Sequence, residues 1–352
     1  MQYRRVCIEA MGYEVPSIAV TSEDIEKRLS PLYDRLNLPY GRLEMMTGIR
    51  ERRFWDKGLP PSNGSTRAGW KAIERSGIAP SQIECLIHAS VSRDFLEPAT
   101  ATIVHNNLGL PPNAMIFDIS NACLGFLNGM ITVANMIELG QIKCGIVVAG
   151  ESAGPLVEKT ISDLLSDSSV TRNSIKQSFP SLTIGSGAVA AVLTDISISK
   201  TKHKLLGGTF RAATMHNNLC RGGVGMADSG LSGENCMPHM KTDAETLLIN
   251  GCKLAVDNWN EFKKELGWTG DNIERTFCHQ VGSAHRRAIY NVLELDMNKD
   301  FSTFEFLGNV GSVSLPITLA IAEDQGRIEK NENIAMLGIG SGINSIMLGI
   351  SW

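Results

Sequence analysis

An internal repeat restricts the fold of this 352-residue chain more than any other feature. The stretch Gly77-Ile-Ala-Pro-Ser-Gln-Ile83-Glu84, followed by a strand, returns as Gly267-Trp-Thr-Gly-Asp-Asn-Ile273-Glu274, followed by Arg275–Gln280. A helix ending at Gly140 before the strand Gly145–Ala149 returns as a helix ending at Gly326 before Ile334–Leu337. Two halves of one plan therefore follow each other, 1–195 and 196–352. The first reads as strand Arg5–Met11, helix Ser22–Leu36, the segment Met46–Phe54 and a helix ending at Gly77. Strand Cys85–Val91, a helix from about Pro98 to Leu108, strand Ala114–Asp118, a helix opening near Cys123 and strand Gly145–Ala149 follow. Strands alternating with helices at this spacing need crossover connections, so the chain is an α/β protein with a largely parallel sheet.

The helix after Asp118 carries the first chemical signal. From Leu124 to Leu139 it is apolar or small on nearly every face, which predicts burial inside a large domain. Cys123 in its first turn would face unpaired backbone N–H groups and the positive end of the helix dipole, which favour thiolate. Taken alone, such a cysteine is equally a small core hydrophobe. The repeat supplies partners, because it maps Cys123 onto Asn309 and Ala89 onto His279. His279 ends a strand in Phe277-Cys278-His279-Gln280, where α/β sheets place chemistry, and Asn309 opens a helix between Gly308 and Gly311. Each has a structural reading, a satisfied strand-end histidine and a helix N-cap. Together with Cys123 they make a nucleophile with a two-donor pocket.

Composition excludes other classes. The 33 basic and 37 acidic residues give a net charge of −4 without a long run of one sign, so neither nucleic acid nor an anionic membrane surface is expected. The basic groups Arg42, Arg50, Arg52, Arg53 and Arg286-Arg287 read as solvated surface, although phosphate recognition would use the same residues. No apolar run of spanning length exists, and Glu9 interrupts the N-terminal apolar stretch, so a cytoplasmic protein is expected. The 8 cysteines form no Cys-x-x-Cys pair, which fits reduced thiols. His216, Cys220, Cys236 and His239 have the spacing of a four-ligand zinc site, but the glycines between them favour a loop, and no metal is expected. Gly338-Ile339-Gly340-Ser341-Gly342 lacks the dinucleotide spacing.

The set Asn121-Ala122-Cys123-Leu124-Gly125-Phe126, His279-Gln280, Gly308-Asn309, Thr47-Gly48-Ile49-Arg50-Glu51-Arg52 and Gly338–Gly342 resembles the thiolase superfamily, near β-ketoacyl-ACP synthase III. Within it, Ser92-Arg93-Asp94-Phe95-Leu96-Glu97-Pro98-Ala99-Thr100, Asp118–Cys123 and Leu337–Asn344 resemble the OleA-type condensing enzymes of bacterial long-chain olefin biosynthesis. The resemblance spans the chain. It implies a thiolase fold, two βαβαβ-type halves about a pseudo-twofold axis in an αβαβα arrangement, assembled as a homodimer.

The resemblance also implies a mechanism. Cys123 attacks one fatty acyl-CoA, the backbone N–H groups of Cys123 and Ser341 hold the oxyanion, and His279 with Asn309 polarises the thioester of a second acyl-CoA. A second acyl-CoA has no carboxylate to lose, so its α-carbon needs a base, which by resemblance is Glu97 reaching across the dimer. The product would be a 2-alkyl-3-keto acid passed to downstream olefin-pathway enzymes. CoA thioesters are then substrates, and no cofactor is implied. The alternatives are a decarboxylative synthase III using malonyl-ACP and a non-catalytic acyl-binding protein. Read from the residues alone, Glu97 just before Pro98 suits a helix start. By resemblance, Pro155–Gln177 walls an acyl pocket, and Ser178–Ala190 is a small-residue strand packed near the site. Arg42 and Met46 replace the Trp and Arg that synthase III members use on CoA, so the nucleotide contacts do not carry over.

Overall fold

The computed structural model describes residues 1–224 and 238–352. Its strands are β1 Val6–Glu14, β2 Ile18–Thr21, β3 Glu51–Phe54, β4 Cys85–His88, β5 Met115–Asp118, β6 Cys144–Glu151 and β7 Gly187–Asp195 in the first half. The second half supplies β8 Lys204–Ala212, β9 Cys220–Val224, β10 Pro238–Thr242, β11 Arg275–Cys278, β12 Asn333–Gly340 and β13 Asn344–Ser351. Nine of these pair in the order β11-β12-β13-β8-β1-β7-β6-β4-β5. Reading outward from the middle, β1-β7-β6-β4 and β8-β13-β12-β11 have the same connectivity and the same pattern of antiparallel and parallel pairs. Even β5 has a counterpart, a bridge between Thr276 and Asp300 beside β11. The two halves meet along β1 and β8, at Cys7–Lys204.

Both faces of each sheet half are buried, and alternate residues of a strand enter different cores, as a two-residue side-chain period requires. Ile87, Val147 and Ala191 face a central core shared with Met336 and Leu348 from the other half. Between the halves lie two buried helices, Gly125–Glu138 and Ser314–Asp324. The opposite strand faces, through Leu86, Ile146 and Ala190, pack on the helices Pro61–Ser76 and Thr100–Asn107. In the second half Ala335 and Leu337 pack on the helices Ala244–Leu266 and Ser283–Leu293. Helix, sheet, helix pair, sheet and helix thus make five layers. Each fully buried Leu, Ile or Phe contributes about 1.5–3 kcal/mol, which explains why the central helices are apolar all round.

The sheet is mostly antiparallel rather than largely parallel, because only β4 with β5 and β6, and β11 with β12, pair in parallel, and several boundaries also differ from the sequence reading. The helix expected over Ser22–Leu36 is two helices, Ser22–Arg28 and Ser30–Leu36, because Pro31 has no N–H to continue the first and suits the start of the second. The strand expected over Ser178–Ala190 is extended only from Gly187; before it Phe179–Leu182 forms a short helix. Arg52 is fully buried rather than solvated, its guanidinium donating to the Val20 carbonyl and Ser22 Oγ. Arg286 is likewise drawn inward, paired with the buried Asp300.

Gly185 shows how tightly the halves meet near the site. Its N–H donates to the Asn309 carbonyl at 2.8 Å, and a Cβ on it would lie 1.9 Å from the Leu307 carbonyl oxygen. Gly185→Ala should therefore cost about 1–3 kcal/mol through overpacking against backbone. Thermal unfolding checks this, with Gly270→Ala, which meets nothing within 4 Å, as the unaffected control.

Candidate active site

Cys123 sits at the turn between β5 and the Gly125–Glu138 helix. Ala122 turns the chain sharply with a left-handed φ of 45°, and the Leu124 N–H closes the turn on the Asn121 carbonyl at 2.9 Å. The helix begins at Gly125, so Cys123 lies just outside it rather than in its first turn. On the facing side, β12 comes close because it carries glycine. A Cβ at Gly338 would strike Leu124 at 2.7 Å, and one at Gly340 would lie 3.6 Å from the Cys123 amide nitrogen. The glycines serve packing, not a nucleotide. This close approach leaves the backbone N–H groups of Ser341 and of Cys123 itself near enough to the Cys123 sulfur to favour its charged form.

Those two donors favour thiolate, yet burial outweighs them. Desolvation first, then the neighbouring Cys220 and Glu151, push the Cys123 thiol up to about 12. The depressed thiol expected from the helix dipole is thus replaced by a protonated one at rest. The helix starts too late to stabilise the sulfur strongly, and the low-dielectric surroundings penalise its charge.

His279 follows the last residue of β11, where its N–H donates to the Leu337 carbonyl at 3.0 Å. Burial, and then the nearby His285, push its imidazole down to about 3, so it is neutral. Its Nδ1 has no hydrogen-bond partner, which removes the reading of a satisfied strand-end histidine. Asn309 lies in the turn before the second central helix, the counterpart of the Cys123 turn. Its Oδ1 accepts from the Gly311 N–H at 3.0 Å and from Ser314 Oγ at 3.3 Å. With the oxygen engaged, the amide nitrogen is the group left for a ligand.

Cys123, His279, Asn309 and Ser341 all line one cavity of about 2630 Å³. Ligand pockets usually hold about 300–1,000 Å³, so this space suits two long substrates rather than one small one. Its walls are largely apolar, with Phe54, Trp55, Leu156, Phe179, Leu247 and Ile339 among them. Pro155, Asn173 and Gln177 belong to the wall, as expected of the 155–177 segment. Arg42, Lys57 and Lys176 also border it and supply positive charge for an anionic substrate group.

Glu97 stands apart. It is exposed and does not line this cavity, although its neighbours Phe95 and Leu96 do. Nor does it serve the helix that follows. That helix starts at Thr100, and Asp118 accepts the Thr100 and Ala101 N–H groups at 2.9 and 2.8 Å.

Two cavity residues escaped the sequence reading. His285, on the first turn of the Ser283–Leu293 helix, also has an unpartnered Nδ1 and is pushed down to about 4 by burial. Glu151 ends β6, buried, with four backbone or hydroxyl donors on its carboxylate. The rule that singled out His279, a polar residue at the C-terminal end of an apolar strand, would have found Glu151 too. Of the four candidate zinc ligands, Cys236 lies outside the described residues. Among the described residues no group of three His, Cys, Asp or Glu could hold a metal, and no helix is long and apolar enough to cross a membrane.

Comparison with known proteins places these features in a lineage. Residues 45–203 match the thiolase N-terminal domain family, and residues 264–352 match the 3-oxoacyl-[acyl-carrier-protein] synthase III C-terminal family. An acyl-CoA:acyl-CoA alkyltransferase of Shewanella oneidensis is 43% identical, with 100% of both chains covered. Its counterpart in Xanthomonas campestris pv. campestris is 37% identical, again over 100% of both. The crystal structure of cerulenin-bound Xanthomonas campestris OleA superposes with a TM-score of 0.93 at 37% identity, covering 100% of this chain and 98% of that one.

A protonated resting thiol has a readable consequence. Below its pKa the thiolate fraction, and hence alkylation of Cys123 by iodoacetamide, should climb about tenfold per pH unit between pH 7 and 9 without a plateau. Peptide mass mapping of the Cys123 adduct follows it. A plateau near pH 7 would show that the two N–H donors outweigh burial.

Proposed function

The chain belongs to the acyl-CoA:acyl-CoA alkyltransferase family on the thiolase fold, and from that membership we propose that it joins two long-chain fatty acyl-CoA molecules by Claisen condensation without decarboxylation. The observation that carries this reading is the meeting, in one large apolar cavity, of a thiol backed by two N–H donors with a neutral imidazole and a free carboxamide N–H₂.

In the first step the Cys123 sulfur forms a bond to the thioester carbon. The oxyanion sits between the N–H groups of Cys123 and Ser341, the C–S bond to CoA breaks, and CoA leaves as the thiol with the proton that Cys123 gave up. Proton loss coupled to attack suits a thiol that is uncharged at rest. In the second step His279 and Asn309 donate to the carbonyl of the incoming acyl-CoA. A neutral imidazole can donate one N–H without holding a buried charge, so the negative charge that develops on the enolate oxygen is what the pair stabilises.

Deprotonating the α-carbon falls to Glu97 of a partner subunit. Its exposure supports this, because Val91, Phe95 and Leu96 beside it leave 57, 59 and 54% of their surface open. Large apolar side chains grouped on a surface favour association, and a second copy of the chain would cover them and bring Glu97 to its cavity. The enolate carbon bonds to the acyl carbon as its C–S bond to Cys123 breaks and the thiolate regains a proton; water then hydrolyses the β-keto thioester, releasing the second CoA as the thiol and the 2-alkyl-3-keto acid, a precursor for long-chain hydrocarbon synthesis.

Myristoyl-CoA supplied alone should give a joined β-keto product and free CoA by mass analysis. Cys123→Ala should fold, release no CoA and form no acyl adduct; an adduct on another cysteine would overturn the assignment of the nucleophile.

Glu97→Gln should leave acylation of Cys123 intact and slow carbon–carbon bond formation by about 10² to 10⁴, the usual contribution of a positioned base. A heterodimer of Glu97→Gln and Cys123→Ala chains should recover one working site. Unchanged condensation by Glu97→Gln, with activity only on malonyl-ACP, would identify a decarboxylative enzyme instead.

A further inference from the structure

We infer that Glu151 is a positioning residue that couples two elements of the condensation step, the Asn309 turn that carries a donor and the segment that carries the base Glu97. Its carboxylate lies at the C-terminal end of β6, 5% exposed, and its backbone is pinned by the Trp55 indole N–H, which donates to its carbonyl at 2.9 Å. Oε1 accepts from Ser312 Oγ at 2.7 Å, from the Val91 N–H at 2.9 Å and, more weakly, from the Ser312 N–H at 3.4 Å. Oε2 accepts from the Ser92 N–H at 3.0 Å. No cation pairs with this carboxylate among the described residues. A buried carboxyl group must be satisfied by hydrogen bonds, and those bonds fix the donors as firmly as they fix the acid.

The donors come from two loops that have no reason to meet otherwise. Ser312 belongs to the turn in which Asn309 accepts from Gly311 and Ser314, so fixing Ser312 fixes the direction of the Asn309 amide. Gly311 leaves the necessary room, since a Cβ there would lie 3.2 Å from Oε1. Val91 and Ser92 begin the segment that runs through Glu97 to Thr100. Its far end is held by Asp118, and its middle by Asp94, which accepts the Ser62 N–H at 2.9 Å. Glu151 therefore anchors the entry to the base-bearing segment and, with the same oxygen, the turn that aims Asn309. In a dimer with Glu97 acting across the interface, each Glu151 orients the carboxamide of its own site and the base lent to the other. That second arm rests on the trans role of Glu97 proposed above.

Glu151→Gln tests this while keeping shape. An amide can keep oxygen at only one of the two carboxylate positions, so at least one donor among Val91, Ser92 and Ser312 meets N–H₂ instead of an acceptor. Condensation of acyl-CoA should fall by roughly 10²-fold, the effect of a misplacement near 1 Å. Acylation of Cys123 uses its own N–H and that of Ser341, and with the Glu151 charge that raises its pKa removed it should not fall. A merely structural role would lower both steps together, in proportion to lost folded protein, and would overturn the proposal, as would wild-type condensation. Should Glu151→Gln not fold, Ser312→Ala removes the 2.7 Å link alone; a folded Ser312→Ala chain that condenses at the wild-type rate also overturns it. Heterodimers separate the arms. Pairing Glu151→Gln with Cys123→Ala leaves the altered residue beside the working cysteine, whereas pairing wild type with the Glu151→Gln, Cys123→Ala double variant leaves it only behind the lent base. Both should condense slowly. Failure of the Glu97→Gln and Cys123→Ala pair to recover activity would refute the trans base instead, and would leave the homodimer test of Glu151 standing.

Discussion

The structure depends on how closely two turns can approach across the pseudo-twofold axis. One precedes the helix Gly125–Glu138 and holds Cys123; the other strand, β12, presents Gly338 and Gly340 to it, where a methyl group would collide with Leu124. That contact leaves the Ser341 N–H near the Cys123 sulfur, so the two backbone N–H groups there come from different halves. The same logic governs the Asn309 turn, where Gly185 lets the Leu307 carbonyl approach. Central helices that are apolar on every side make the approach stable, because rotating either would expose buried Leu, Ile or Phe at about 1.5–3 kcal/mol per residue.

Burial then sets the electrostatics. The Cys123 thiol is held up near 12 and the His279 imidazole down near 3, both chiefly by desolvation, so both groups are neutral at rest. A neutral resting site costs less to bury inside an apolar cavity than an ion pair would. It also reserves the donors for the oxyanion and enolate, which appear only during reaction. Near the site the side chain of Glu151 is buried, and its bonds all run to backbone N–H groups or a serine hydroxyl.

Much of this was legible in the sequence because repetition and periodicity are one-dimensional signals. The repeat gave two halves with matching connectivity, and the all-apolar stretch from Leu124 to Leu139 gave a buried helix. Mapping one half on the other brought Cys123, His279 and Asn309 together before any coordinates did, and all three line one cavity. Boundaries were less legible: Pro31 splits a helix that reads as continuous, and Arg52 is buried although its cluster reads as surface.

Amino-acid order by itself determined the two-half plan, the buried helix after Cys123 and the candidate side chains Cys123, His279 and Asn309, since these follow from repetition, hydrophobic period and residue chemistry, whereas the layers came from the family resemblance. Tertiary structure alone decided what those side chains are at rest. Desolvation depends on every neighbour in space, so it overrode the helix dipole at Cys123 and stripped His279 of its charge. It also decided that Glu97 faces away from its own cavity, and that Glu151 gathers donors from positions as distant in the chain as Val91 and Ser312, because a hydrogen bond is fixed by distance and angle rather than by separation along the chain.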